Sequence, residues 1–287
     1  MNYLSTLNEK QLEAVTTTEG YLRVIAGAGS GKTKLLVSRY AYLVKEYGID
    51  SSNILCVTFT NKAAGEMRRR IRSLIGEEYD TSLICTYHGF CVRVLREDVE
   101  KIFYPKEFQI IDGSQQKAML GDIYQKFELK LDHASFEKVM KQIGEFKSSN
   151  QDYVQKMCDT KQCQIMPDIR SLDDRIVEEF LQRQKQVYAT DFQDLIYFTL
   201  DIFNRCPEVL AKCADIKSSA MFTICNIRII RVWMWDASVP DGWKGIRKER
   251  KDGSRSLKTS RREKRTLKTV SGKPQRIPTV ILKSRTI

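Results

Sequence analysis

The chain has 287 residues, of which 42% are apolar and 29% charged, so a buried core is possible and disorder throughout is excluded. No apolar run reaches the roughly 20 residues that span a bilayer, and the N-terminus lacks the basic and apolar segments of a signal peptide. Eight cysteines without a CxxC pair do not form a disulfide or zinc pattern. They favour reduced thiols in a cytoplasmic protein that has no membrane partner; composition does not fix an oligomeric state.

The formal charge of +12 is distributed unevenly along the chain. Residues 221–287 contain 18 Lys and Arg against 5 Asp and Glu, whereas the rest of the chain is nearly balanced. The same segment combines three Trp with a high proportion of Lys, Arg, Ser, Thr and Gly, a composition that is typical of disorder. We predict a basic, disordered C-terminal tail over 213–287, which either contacts nucleic acid or has a foreign origin.

Strands and helices alternate in the first part of the chain. The pattern predicts helices over 4–15 (with Asn8 and Gln11 at capping-box spacing), 32–47, 62–75 and 88–95, and strands over 22–26, 54–59 and 82–86. Such alternation favours an α/β fold, in which helices cover a parallel sheet. From about 112 to 210 only helical periodicity remains, as in Phe136, Val139, Met140, Ile143 and Phe146. The segment 147–172 is predicted to be a linking loop.

A glycine-rich loop lies between the first predicted strand and the next helix. Its residues are Ala26, Gly27, Ala28, Gly29, Ser30, Gly31, Lys32 and Thr33. Small residues let backbone N–H groups curve around an anion, and the helix start adds the positive end of its dipole. Lys32 then reaches the β- and γ-phosphates, and the Thr33 hydroxyl binds Mg²⁺. The loop predicts nucleotide binding, although Ala26 replaces the usual first Gly; the alternative is an ordinary glycine-rich turn.

Several further segments occur in a fixed order around this loop. They are Leu7–Gln11, Ala26–Thr33, Thr58–Ala64, Thr86–Cys91, and Asp191–Ile196 followed by Pro207–Leu210. Together they resemble the N-terminal half of superfamily 1 DNA helicases of the UvrD/Rep/PcrA type, over residues 4–212. The resemblance implies a RecA-like P-loop parallel sheet over 1–111, an inserted, mostly α-helical subdomain over 112–212, and loss of the family pattern over 213–287.

The same resemblance implies an ATP-dependent DNA helicase that moves 3′ to 5′, with ATP and Mg²⁺ as cofactors and single-stranded or partly duplex DNA as partner. Gln11 matches a glutamine that contacts adenine, and Arg39 matches an arginine near the base, with a surface arginine as the alternative. Contacts with single-stranded DNA are implied for Phe59, Asn61, Thr86, His88 and Phe192; the alternative for Phe59 and Phe192 is a place in the core. The arginines within 68–72 are interpreted as a solvated helix face.

The family pattern is lost before its acidic ATPase motif. The family has a strand ending in Asp-Glu shortly after Leu210, where the Asp holds Mg²⁺ and the Glu polarises water. Here Ser219–Asn226 has no carboxylate, and Asp236, the next acid after an apolar run, is followed by Ala237. The sequence therefore leaves three hypotheses for the function of the chain. One is a helicase ATPase lobe; another is an inactive nucleotide- and single-strand-binding fragment from a frame-disrupted helicase gene, without the second motor lobe. An unrelated P-loop phosphotransferase is a third.

Overall fold

The computed structural model describes residues 3–18, 22–27, 29–161, 164–215, 222–223, 267–268, 274–275 and 279–282. These residues are mostly helical and include small parallel sheets. The chain divides into two compact units, the first formed by Met1–Thr86 with Ala214–Ile287 and the second by Tyr87–Cys213. None of the helices in the described ranges has the length and apolar character that a membrane span requires.

The elements follow the chain in a simple order. The helices are α1 (Glu9–Thr16), α2 (Lys32–Lys45), α3 (Asn61–Ile75), α4 (Tyr87–Asp98), α5 (Gly113–Lys126), α6 (His133–Ser149), α7 (Tyr153–Cys158), α8 (Leu172–Gln186), α9 (Phe192–Arg205) and α10 (Pro207–Asp215). The strands are β1 (Arg23–Ala26), β2 (Cys56–Thr58), β3 (Ile84–Thr86), β4 (Gln109–Ile110), β5 (Ala189–Thr190), β6 (Phe222–Thr223), β7 (Leu267–Lys268), β8 (Pro274–Gln275) and β9 (Thr279–Leu282).

The first unit is built on short parallel strands. β2 lies between β3 and β6, and β1 pairs with β9, all in parallel, while β7 and β8 pair antiparallel. Helices α2 and α3 pack with the strands around buried side chains that include Leu43, Ile54, Met67, Ile71 and Ile84. Because Thr58 of β2 is the register partner of Thr86 of β3, the carboxyl ends of these two strands meet at one edge of the sheet.

The second unit is a helical assembly around α9. Leu195 and Phe198 of α9 are fully buried, and the ring of Tyr104 lies 4.9 Å from that of Phe198 in an edge-to-face arrangement. The parallel pair β4–β5 brings together the segments that precede α5 and α9. This pairing fixes where α9 begins.

Two predicted boundaries differ from the structure. The division between units follows Thr86 instead of residue 111, because α4 packs on α9 and the segment 87–111 therefore belongs with the helical unit. The predicted linking loop over 147–172 is wrong at its start, since α6 continues to Ser149 and α7 follows. Buried Tyr153 and Met157 anchor α7, and local Ser and Asn content concealed this.

The ends of the chain also differ from expectation. Tyr3–Thr6 form a separate 3₁₀ turn, and α1 begins only after its cap at Asn8. Within the predicted disordered tail the structure has four short strands. β6 and β9 pair in parallel with β2 and β1, where Thr279–Leu282 is an apolar, β-branched run, and β7 and β8 pair with each other. Asp236, Ala237 and the three Trp lie outside the described residues.

Candidate functional site

The glycine-rich loop joins β1 to α2, as the sequence predicts. Gly29 and Gly31 have φ angles of 72° and 82°, in the left-handed region that favours glycine. Gly31 is the N-cap of α2 and has no side chain with which to cap the N–H groups of the first turn. These N–H groups and the positive end of the helix dipole are suited to an anion. Ala28 lies outside the described residues.

Gln11 connects α1 to this loop. Its side chain accepts a hydrogen bond from the Asn8 backbone N–H at 3.1 Å, which completes the predicted capping box. Its Nε2 donates to the Ser30 carbonyl at 3.1 Å. A Cβ on Gly31 would lie 2.7 Å from that Nε2, so a larger residue at position 31 would displace the Gln11 amide in addition to straining the left-handed backbone. The predicted adenine contact of Gln11 stays a prediction.

The ammonium group of Lys32 lies over the loop. Nζ donates to the carbonyls of Ala26 at 3.2 Å and Gly27 at 2.5 Å, and the Ser30 hydroxyl also donates to Gly27, at 2.7 Å. These carbonyls hold the cation beside the N-terminus of α2. A phosphate group at the helix N-terminus would therefore meet both a full positive charge and backbone N–H donors.

Thr33 is half-buried in the first turn of α2. Among the residues that the structure describes, no group of three His, Cys, Asp or Glu side chains is arranged to hold a metal ion. Mg²⁺ is commonly bound by few protein ligands together with substrate phosphates and water. The hydroxyl donor at the loop is compatible with that arrangement, and the role of Thr33 as a Mg²⁺ ligand stays a prediction.

Arg39 is buried, with an exposed fraction of 4%. Its guanidinium donates to the carbonyls of Ala14 and Thr17, so it fastens α1 to α2. Burial lowers the pKa of Arg39 to about 10. The alternative of a surface arginine is therefore wrong, and the contact with a nucleotide base stays a prediction.

A second set of predicted residues lies where β2 and β3 end. Phe59 follows β2 and is 42% exposed, so it is not a core side chain. Asn61 is exposed in the first turn of α3, which Thr60 caps by accepting from the Ala63 N–H at 3.1 Å. Thr86 ends the neighbouring strand and is buried. This edge of the sheet presents an aromatic ring next to a polar amide side chain.

In the second unit, His88 of α4 contacts Phe192 of α9. Their ring centroids lie 5.2 Å apart, with an angle of 59° between the planes. Phe192 is 51% exposed, so the core alternative is wrong for this residue also. Burial lowers the pKa of His88, which favours a neutral imidazole at pH 7. The pair is an uncharged aromatic surface.

Sequence reasoning missed a buried polar cluster next to Phe192. Lys147 is fully buried and forms ion pairs with Asp191 and Asp194, the residues on either side of the Phe192–Gln193 dipeptide. One signal was present in the sequence, since Lys147 lies four residues after Ile143 on the apolar stripe of α6. A lysine at such a position requires a buried partner.

Comparison with known proteins identifies the family. A family model described as the UvrD/REP helicase N-terminal domain matches residues 7–218. The chain belongs to the UvrD/REP helicase family. This UvrD/REP chain is 39% identical over 208 residues to the ATP-dependent DNA helicase PcrA of Staphylococcus aureus. The matched region covers 72% of this chain and 28% of that protein. The chain is 40% identical over 205 residues to PcrA of Staphylococcus epidermidis, and this match covers 71% of the present chain and 27% of that protein. The chain thus spans little more than a quarter of the length of these curated relatives, and the predicted family resemblance is confirmed.

Proposed function

We propose that this chain is the ATP- and single-strand-binding N-terminal lobe of an ATP-dependent DNA helicase that moves 3′ to 5′. The observation that carries the proposal is the loop between β1 and α2, where left-handed glycines, an uncapped helix N-terminus and the Lys32 ammonium converge. The parallel pairing of β2 with β3 is compatible with a RecA-like core. Membership of the UvrD/REP family supports ATP as the nucleotide and DNA as the polymer.

In this proposal the triphosphate lies at the N-terminus of α2. Lys32 exchanges its two carbonyl acceptors for the β- and γ-phosphates, and Thr33 holds Mg²⁺ together with phosphate oxygens. Mg²⁺ supplies charge neutralisation to the phosphates when it is bound. The hydrogen bond from Gln11 to the Ser30 carbonyl holds its side chain beside the loop, which supports the proposed contact with the adenine edge.

Replacement of Lys32 tests the phosphate loop. We expect Lys32→Ala to weaken binding of a fluorescent ATP analogue by at least about tenfold, equivalent to about 1.4 kcal/mol, because a charge-assisted contact is lost. Lys45→Ala, at the exposed C-terminal end of the same helix, is the matched control and should bind like wild type. Equal affinity in the Lys32 variant would show that the loop does not bind phosphate.

Phe59 carries the proposed DNA contact of the first unit. Stacking on a base contributes about 1–3 kcal/mol, so Phe59→Ala should weaken single-stranded oligonucleotide binding by that amount. Segments rich in Lys and Arg, such as the C-terminal one, bind phosphates without sequence preference. The titration is therefore made with the full chain at about 200 mM salt, where binding of that kind falls steeply. Phe103→Ala, at an exposed phenylalanine of the second unit, is the control. If both variants bind like wild type, the proposed role of Phe59 is wrong.

One observation favours the second candidate, a nucleotide- and single-strand-binding protein without turnover. β6 pairs with β2 on the side opposite β3, and it follows α10 at the place where the family has a strand ending in Asp-Glu. The residues after it are Ile224, Cys225 and Asn226, which provide no carboxylate. DNA-stimulated ATP hydrolysis separates this candidate from an active helicase lobe.

A further inference from the structure

Lys147 carries a buried positive charge in the second unit. Its Nζ lies 2.7 Å from Asp191 Oδ2 and 2.8 Å from Asp194 Oδ1, and it donates to Gln184 Oε1 at 3.3 Å. The side chains of Lys147 and Asp194 are both fully buried. One ammonium group therefore binds two carboxylates at a place from which water is excluded.

Three other helices, besides α6 and α9, contribute side chains to the same cluster. Tyr153 of α7 donates its hydroxyl to Asp194 at 2.7 Å, and Gln184 of α8 donates to the same carboxylate at 3.4 Å. Gln116 of α5 donates to Asp191 at 3.1 Å. With Lys147 on α6, side chains from α5, α6, α7 and α8 all converge on the two carboxylates at the start of α9.

Both carboxylates also shape the first turn of α9. Asp191 is the N-cap and accepts from the backbone N–H groups of Gln193 and Asp194, each at 2.9 Å. Asp194 accepts in return from the Asp191 N–H at 3.0 Å. Phe192 and Gln193 lie between them in the turn, so the backbone of Phe192 is held from both sides.

We propose that Lys147 is a positioning residue for DNA binding. By holding Asp191 and Asp194, it fixes the first turn of α9 so that Phe192 stays against His88 as a stacking surface for one base of a single strand. The inference rests on the function proposed above.

Capping alone does not explain the cluster. The N-cap of Asp191 and the reciprocal bond of Asp194 stabilise a helix start without any cation, as capping boxes do elsewhere in this chain. A buried ion pair often contributes little net stability compared with apolar side chains of similar volume. The ammonium fixes the orientation of the helix start, because the first turn of α9 cannot rotate about its axis without separating Lys147 from one of the two carboxylates.

The test uses the full chain and two readouts. Binding of a labelled oligothymidylate is measured by anisotropy for wild type, Phe192→Ala, Lys147→Met and the control Lys141→Met, an exposed lysine of the same helix. The imidazole NMR signals are recorded for the same proteins. The chain has only two histidines, and His133 is exposed on α6, so it serves as an internal reference beside His88.

We expect Lys147→Met and Phe192→Ala each to weaken oligothymidylate binding by about tenfold, while the ATP analogue binds to both as to wild type. The His88 signal of Lys147→Met should move to its position in Phe192→Ala, because the ring current of Phe192 is lost. Lys141→Met should resemble wild type in both readouts. A folded Lys147→Met protein with the wild-type His88 signal and wild-type oligothymidylate affinity would overturn the proposal.

If circular dichroism shows that Lys147→Met does not fold, Asp191→Asn is used instead to test whether Lys147 positions Phe192. Asn keeps the oxygen that caps α9 and leaves Lys147 paired with Asp194, but the NH₂ group that replaces Oδ2 cannot accept from the ammonium. The same shift of His88 and the same loss of affinity support the proposal, and wild-type behaviour overturns it. If Phe192→Ala binds oligothymidylate like wild type, the DNA role of Phe192 is wrong, whereas the His88 signal still decides whether Lys147 positions the ring.

Discussion

ATP hydrolysis by residues 1–287 is expected to stay near background even with saturating single-stranded DNA. Phosphoryl transfer needs a carboxylate that fixes Mg²⁺, a second that orients water, and positive groups that stabilise charge on the transferred phosphoryl group. No Asp or Glu occurs between Asp215 and Asp236, and Ala237 stands where the water-orienting glutamate would follow. An arginine supplied in trans alone changes the rate by about 10³–10⁵ in related nucleotidases.

The measurement is phosphate release with and without single-stranded DNA, with Lys32→Ala as the control for contaminating ATPases. Binding of the ATP analogue, which uses the loop alone, should persist in wild type under the same conditions. DNA-stimulated release that disappears in Lys32→Ala would contradict the prediction. It would identify Asp236 as a metal ligand and favour an active helicase lobe over a binding protein without turnover.

The second large effect concerns the stability of the helical unit. Lys147→Met should lower the free energy of unfolding by about 3–5 kcal/mol, because removal of one partner leaves two buried carboxylates without their cation. Lys141→Met removes only an exposed pair with Glu145 and should change the free energy by less than about 0.5 kcal/mol. Chemical denaturation followed by circular dichroism measures both values.

The pH dependence of this loss has a definite sign. Burial raises the pKa of Asp194 from 3.8 to about 6, whereas Lys147, against the effect of burial, lowers that of Asp191. Without the ammonium both carboxyl groups hold protons more tightly in the folded state than in the unfolded state. The stabilisation from such groups is present at low pH and is lost as the pH rises through the folded-state pKa. The difference between Lys147→Met and wild type should therefore shrink between neutral pH and about pH 5; a constant difference would show that the two carboxyl groups do not determine it.

Local sequence predicted the conformation of the glycine-rich loop well because every cause of its shape is local. The apolar run before it forms β1, the glycines adopt the left-handed angles, and Lys32 lies one residue after the N-cap of α2. The capping box of Asn8 and Gln11 also depends only on residues three apart. The close approach of Gln11 to Gly31 joins two separate elements, so no pattern within either element predicts it.

Exposure and burial of single side chains were harder to predict. Phe59 directly follows a strand and Phe192 is the first residue of a helix. At such positions an aromatic side chain belongs either to the core or to the surface, and periodicity does not distinguish the two. Lys147 looked like the beginning of a polar loop because Ser148 and Ser149 follow it. Its partners Asp191 and Asp194 lie on another helix, so only the tertiary structure shows why a lysine is buried there.

The pairing of β1 with β9 has a consequence for biosynthesis. Arg23 is the register partner of Thr279, and Ala26 that of Leu282, so the strand that leads into the phosphate loop is hydrogen-bonded to a segment made much later by the ribosome. Closing so long a loop costs conformational entropy, and such contacts slow folding. During translation, the backbone groups along one edge of β1 stay unpaired until β9 is made, and strands of other chains can pair with such an edge. The nascent chain therefore has an unpaired strand edge next to its glycine-rich loop until residues 279–282 have been made.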